Sequence, residues 1–134
     1  MSIILVPTEI RDGQLKSINF EVFTTARKLA DETNMKAAAL LLGEDVGSLT
    51  EIPGKYGIDQ VLTVEDPKLG KLSPDCFAAA ISEAAKQKDA KIILMGATNL
   101  GKDLMARVAF NLDTTLAQDI MDYKVDGDKV TFSK

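Results

Sequence analysis

The stretch Ala90 to Asp113 reads AKIILMGATNLGKDLMARVAFNLD, and its two halves decide the fold class. Ile92-Ile93-Leu94-Met95 is a short apolar run closed by Gly96 and Thr98, as expected of a parallel strand buried on both faces. Leu104, Met105, Val108, Ala109 and Leu112 then recur at helical spacing, with Lys102, Asp103, Arg107 and Asn111 elsewhere round the turn. A strand passing through a glycine-bounded turn into a helix points backbone N–H groups and the positive helix end at one place, where anions and nucleotides can bind. Gly96, Thr98, Gly101 and Lys102 are the candidate cofactor-binding residues of this turn. The competing reading is that the glycines merely permit the turn while Lys102 and Asp103 are solvated. One glycine-flanked turn does not choose between them.

Outward from this unit the same alternation repeats. Toward the N-terminus, Ile3 to Val6 is a continuous apolar run stopped by Pro7, and Asp12-Gly13 marks a turn in the loop that follows. Glu9 in that loop would repel a phosphate, unlike the Ser/Thr/Gly-rich loop of a flavodoxin. A helix is expected from Ser17 as its cap, with Ile18, Val22, Ala26, Leu29 and Thr33 along its inner face and Asn34 as its C-terminal cap. Met35 to Leu42 is a second buried strand ending at Gly43. Pro53, Gly54 and Gly57 break up the next segment, Glu44 to Gly57, so a short or interrupted helix is expected there.

Val61 to Val64 is a third strand. Ser73-Pro74-Asp75 opens a helix with Phe77, Ile81, Ala84 and Ala85 facing inward. Beyond the opening stretch, Leu116 to Met121 reads as a fifth strand. The alternation of Tyr123, Val125, Val130 and Phe132 around Asp126-Gly127 then reads as a hairpin. The fold class is therefore α/β: one three-layer domain over 1–134, with a mainly parallel sheet, helices on both faces and a C-terminal β-hairpin.

Composition removes several kinds of chemistry. With 16 basic against 20 acidic residues the formal charge is -4, and the basic residues are scattered, so nucleic acid is not an expected partner. No apolar run approaches the roughly twenty residues needed to span a bilayer, and no signal-peptide pattern opens the chain. A cytoplasmic protein is expected, or a mitochondrial matrix protein after import. Histidine is absent and there is 1 cysteine, so metal centres and triads built on Ser-His or Cys-His are not expected. That cysteine, Cys76, falls in the first turn of a helix, where a thiol can be activated, although a small residue among alanines accounts for it equally. No catalytic constellation emerges.

Taken in order, Gly96-Ala97-Thr98, Gly101-Lys102-Asp103-Leu104, Arg107-Val108-Ala109, Leu112-Asp113 and Leu116-Ala117-Gln118-Asp119 resemble the N-terminal domain of the electron transfer flavoprotein alpha subunit. Glu9, Gly13 and Leu15, and Lys55-Tyr56-Gly57 before Asp59 and Val61, are similar to the same family, so the resemblance runs through essentially the whole chain. It implies an adenine nucleotide alpha hydrolase-like fold, and a second domain after Lys134 that carries most contacts to FAD. It implies a beta subunit of similar fold, holding AMP or a second FAD, and an alpha/beta heterodimer that takes electrons from dehydrogenases. FAD would belong to that intact complex, since this polypeptide has no redox centre of its own. On this reading the chain is a scaffold that holds the beta subunit and lies beneath the flavin domain. Asp103 and Arg107 are its candidate interface residues, with a solvated ion pair as the plainer account of them. The other function considered is a stand-alone adenine-nucleotide-binding module of universal stress protein type.

Overall fold

The computed structural model describes residues 3–11, 13–43, 46–65, 74–88, 90–96, 103–108, 122–126 and 129–133. The parallel strands are β1 (Ile3–Pro7), β4 (Lys36–Gly43), β5 (Gln60–Glu65) and β6 (Ala90–Ile93), forming one four-stranded sheet in the order β5-β4-β1-β6. A two-residue ribbon, β2 (Ile10–Arg11) against β3 (Gln14–Leu15), follows β1, and an antiparallel pair, β7 (Asp122–Asp126) with β8 (Lys129–Ser133), closes the chain. The helices are α1 (Ile18–Thr33), α2 (Pro74–Gln87) and a helical stretch over 103–108.

Strand pleating divides the core into two apolar layers. Ile4 and Val6 of β1, with Ala37, Ala39 and Leu41 of β4, pack on one face against Phe23, Ala26, Leu29 and Ala30 of α1. Ile3 and Leu5, with Ala38, Leu40 and Leu42, pack on the other against Ala78, Ile81 and Ala85 of α2 and against Leu104 and Val108. The alternation follows from the two-residue period of a strand, and apolar residues at every position let both faces carry a helix. Each fully buried Leu or Ile contributes about 1.5–3 kcal/mol relative to leaving it in water. The three-layer parallel architecture expected from the sequence is therefore present, as is the hairpin, whose register pairs Tyr123 with Phe132 and Val125 with Val130.

Several local expectations need correction. The inner face of α1 is set by Asn19, Phe23, Ala26, Leu29 and Ala30, so it turns away from the Ile18–Val22–Thr33 line and leaves Val22 half-buried. Ser17 stands at the N-cap position with helical backbone angles, φ -59 and ψ -28, and its side chain accepts no capping hydrogen bond. Asn34 does end the helix as expected: it is left-handed at φ 57, and the N–H groups of Asn34 and Met35 both reach the carbonyl of Ala30. The broken segment resolves into two 3-10 turns, Gly47–Leu49 and Pro53–Tyr56. In β6, Ile92 and Ile93 are half-buried rather than fully enclosed, because β6 is the outermost strand on that side among the described residues. Inside α2 the buried positions are Ala78, Ile81, Ser82 and Ala85, with Phe77 and Ala84 half-buried. Leu116 to Met121, expected as a strand, lies outside the described residues.

Candidate functional site

The strand order places a topological switch point between β1 and β6. From β1 the chain moves through α1 to β4 and β5 on one side, whereas β6 lies on the other side of β1 and is reached through α2. Right-handed crossovers running in opposite directions along a sheet must lie on opposite faces. So α1 covers one face, while α2 and 103–108 cover the other. The ligand crevice of such a sheet opens outside the carboxyl ends of the two strands where the direction reverses. Here those ends are Pro7-Thr8-Glu9 and Leu94-Met95-Gly96, tied together by the Leu94 N–H donating to the Leu5 carbonyl at 2.9 Å.

Its walls are built by the chain's own side chains. Thr8 caps the sheet: its Oγ1 and its backbone N–H both donate to the Leu40 carbonyl, at 2.9 and 3.0 Å. Glu9 is buried, and its Oε2 lies 3.2 Å from Nζ of Lys16. Its peptide groups are clasped by the buried amide of Asn19, whose Oδ1 accepts the Glu9 N–H at 3.0 Å and whose Nδ2 donates to the Glu9 carbonyl at 2.7 Å. Lys16 N–H donates to the same carbonyl at 3.1 Å. Gly13, at φ 75, makes the turn that carries the chain from β2 to β3 and back to Lys16.

Gly96 lies on the opposite wall. A methyl group placed on it would sit 2.5 Å from Cγ1 and 3.2 Å from Cγ2 of Ile18, the first residue of α1. The glycine is thus needed for a steric reason inside the fold: the end of β6 and the start of α1 approach more closely than any side chain permits. Of the sequence-derived site residues, Gly96 stands at the switch point, while Thr98, Gly101 and Lys102 lie outside the described residues. Asp103 and Arg107 are brought together on consecutive turns, Arg107 Nε donating to Asp103 Oδ1 at 3.2 Å with both side chains part-exposed. Cys76 is exposed on the first turn of α2. Among the described residues no group of three or more His, Cys, Asp or Glu is placed to hold a metal ion.

A second polar centre was not anticipated from the sequence. Nη1 of Arg27 donates to the Gly57 carbonyl at 2.9 Å and to both carboxylate oxygens of Asp59 at 2.9 and 3.0 Å, while Nη2 donates to Asp31 at 2.6 Å. Asp59 in turn accepts the Ala37 N–H at 2.9 Å and donates its own N–H to the Ala37 carbonyl, extending the β4–β5 ladder. Burial is the largest single influence on the Asp59 carboxyl and pushes it up. The Ala37 N–H and the Arg27 guanidinium together outweigh burial, and the group sits below its usual value. Gly57 is left-handed at φ 89, and a methyl group there would meet Cδ of Arg27 at 2.7 Å. These contacts give a physical basis for Gly57, which the sequence marks as a breaker and by resemblance, and for Asp59, which it marks only by resemblance. The other local signal was Arg27 four residues before Asp31 on a helix face.

The sheet order, the covered faces and the switch point define a three-layer α/β domain of the nucleotide alpha hydrolase-like kind. A universal stress protein from Archaeoglobus fulgidus has the same fold, with a TM-score of 0.55 at 13% identity, covering 85% of this chain and 90% of its own. The family is fixed by sequence: residues 4–134 match the electron transfer flavoprotein domain, and the chain belongs to the electron transfer flavoprotein family. The electron transfer flavoprotein subunit alpha of Bacillus subtilis is 34% identical over 131 residues, 98% of this chain and 40% of that protein. That of Megasphaera elsdenii is 35% identical over 128 residues, 96% of this chain and 38% of its own. The acryloyl-CoA reductase electron transfer subunit beta of Anaerotignum propionicum is 36% identical over 121 residues, 90% of this chain and 33% of its own length. The chain thus spans 33% to 40% of the length of these relatives.

Membership in a flavoprotein family raises the question of FAD. At the switch point the described residues do not fit a dinucleotide. The first strand-to-helix turn offers the Glu9 carboxylate where a phosphate-binding loop offers glycine N–H groups, and Ile18 takes the space that Gly96 leaves open. Among the described residues no helix is long and apolar enough to cross a membrane.

Proposed function

We propose that residues 1–134 form a single scaffold and interaction domain, equivalent to the N-terminal domain of an electron transfer flavoprotein alpha subunit. Its role is to support electron transfer from flavin dehydrogenases through FAD held by the intact alpha/beta heterodimer. The reading rests on the family match along residues 4–134. The described side of the switch point agrees with it, because Glu9 paired to Lys16 places a carboxylate where a phosphate cradle would present N–H groups.

In this reading the domain is part of an electron carrier and not a catalyst. Its partners are the electron transfer flavoprotein beta subunit, which holds AMP or a second FAD, the flavin domain of the alpha subunit, and the dehydrogenases reached through the complex. Asp103 and Arg107 contribute to the subunit interface, and the turn from Gly96 through Thr98 and Gly101 to Lys102 is a degenerate nucleotide loop. The compartment is the cytoplasm, or the mitochondrial matrix in a eukaryote.

Calorimetric titration of the purified chain with AMP, ATP and FAD, alone and after addition of a beta subunit, tests this. A colourless chain that binds none of the three alone, and binds the beta subunit, supports the scaffold. Micromolar ATP binding by the isolated chain would replace it with a nucleotide-binding module of stress-protein type. Stoichiometric flavin on the isolated chain would overturn both.

A further inference from the structure

We draw no further inference here: the strongest candidate, the apolar surface patch where Tyr56 stacks on Phe20 beside the Pro53–Tyr56 turn, carries nothing because the structure does not show what covers it.

Discussion

Asn19 grips Glu9 by both ends of its backbone, accepting from the N–H at 3.0 Å and donating to the carbonyl at 2.7 Å. Residues on the first turn of α1 and just past the end of β1 are thereby locked together at the mouth of the switch point. The amide is well suited to this task because it presents one acceptor and one donor side by side.

Replacing Asn19 with Ala strands a buried N–H and weakens the hold on a buried carbonyl, and each such loss costs about 1–3 kcal/mol. Asn19→Ala is therefore expected to destabilise the chain by about 2–4 kcal/mol, read as a lower urea midpoint at unchanged slope. Asn19→Asp keeps the acceptor but turns a carboxylate oxygen onto the Glu9 carbonyl in a buried site, so near neutral pH it should cost at least as much as Asn19→Ala. A change within 0.5 kcal/mol, roughly the level of an ordinary surface substitution, would show that the clasp is dispensable.

Gly96→Ala forces a methyl group to 2.5 Å from Ile18 Cγ1. Overpacking of this kind costs about 1–3 kcal/mol. If the strain is local, shortening the neighbour should relieve it, so Gly96→Ala combined with Ile18→Ala is expected to cost less than the sum of the single changes. Strict additivity in chemical denaturation would mean that Gly96 is needed for some reason other than Ile18.

The Asp59 carboxyl titrates below its usual value near 3.8, so the folded state binds its proton less readily than the unfolded chain does. The stabilisation this brings is complete above the unfolded value and is lost as pH falls through the folded one. Asp59 is a third exposed and screened by solvent, which limits the expected gain to about 1 kcal/mol. In thermal melts, Asp59→Asn should lower stability at pH 7, and the gap from the parent chain should close below about pH 4. A gap independent of pH would remove the charge from the explanation.

Arg107 and Asp103 form a part-exposed pair one helical turn apart, an arrangement worth a few tenths of a kcal/mol, about 0.3–0.5. Arg107→Ala should therefore leave the melting curve almost unchanged. As an interface residue it should nevertheless weaken assembly with a beta subunit, measured by sedimentation. Unchanged assembly would reduce the pair to a solvated contact.

The parts of the fold that could be read from the sequence are those with strong local periodicity. Ile3–Val6 and Met35–Leu42 are runs that only a two-sided sheet can bury, Val61–Val64 is a short run rich in β-branched residues that forms the half-buried outer strand β5, and Tyr123 through Phe132 alternates as a hairpin must. The inner face of α1 was displaced because Asn19 looks like a surface residue. It is buried through a hydrogen bond to a peptide ten positions away, a tertiary contact with no local trace. Ser17 failed as a cap for a related reason: the N–H groups of Asn19 and Phe20 are met by the backbone carbonyls of Lys16 and Ser17. At the site, Gly96 was recognisable as special from its place after a strand. That its role is to admit Ile18 depends on how closely two distant elements approach, which no spacing encodes.

The amino-terminal strand is flanked on both edges by later chain, Ile3 facing Lys36 on one side and Ala90 on the other. During synthesis the first of these neighbours arrives early, whereas the second emerges only after α2 has been made, so one edge of β1 stays open through much of translation. Trimming a few residues from the front of the polypeptide would thus do more than fray an end. It would take away the rung that both neighbouring strands share, and with it the seam that holds the two halves of the sheet in one piece.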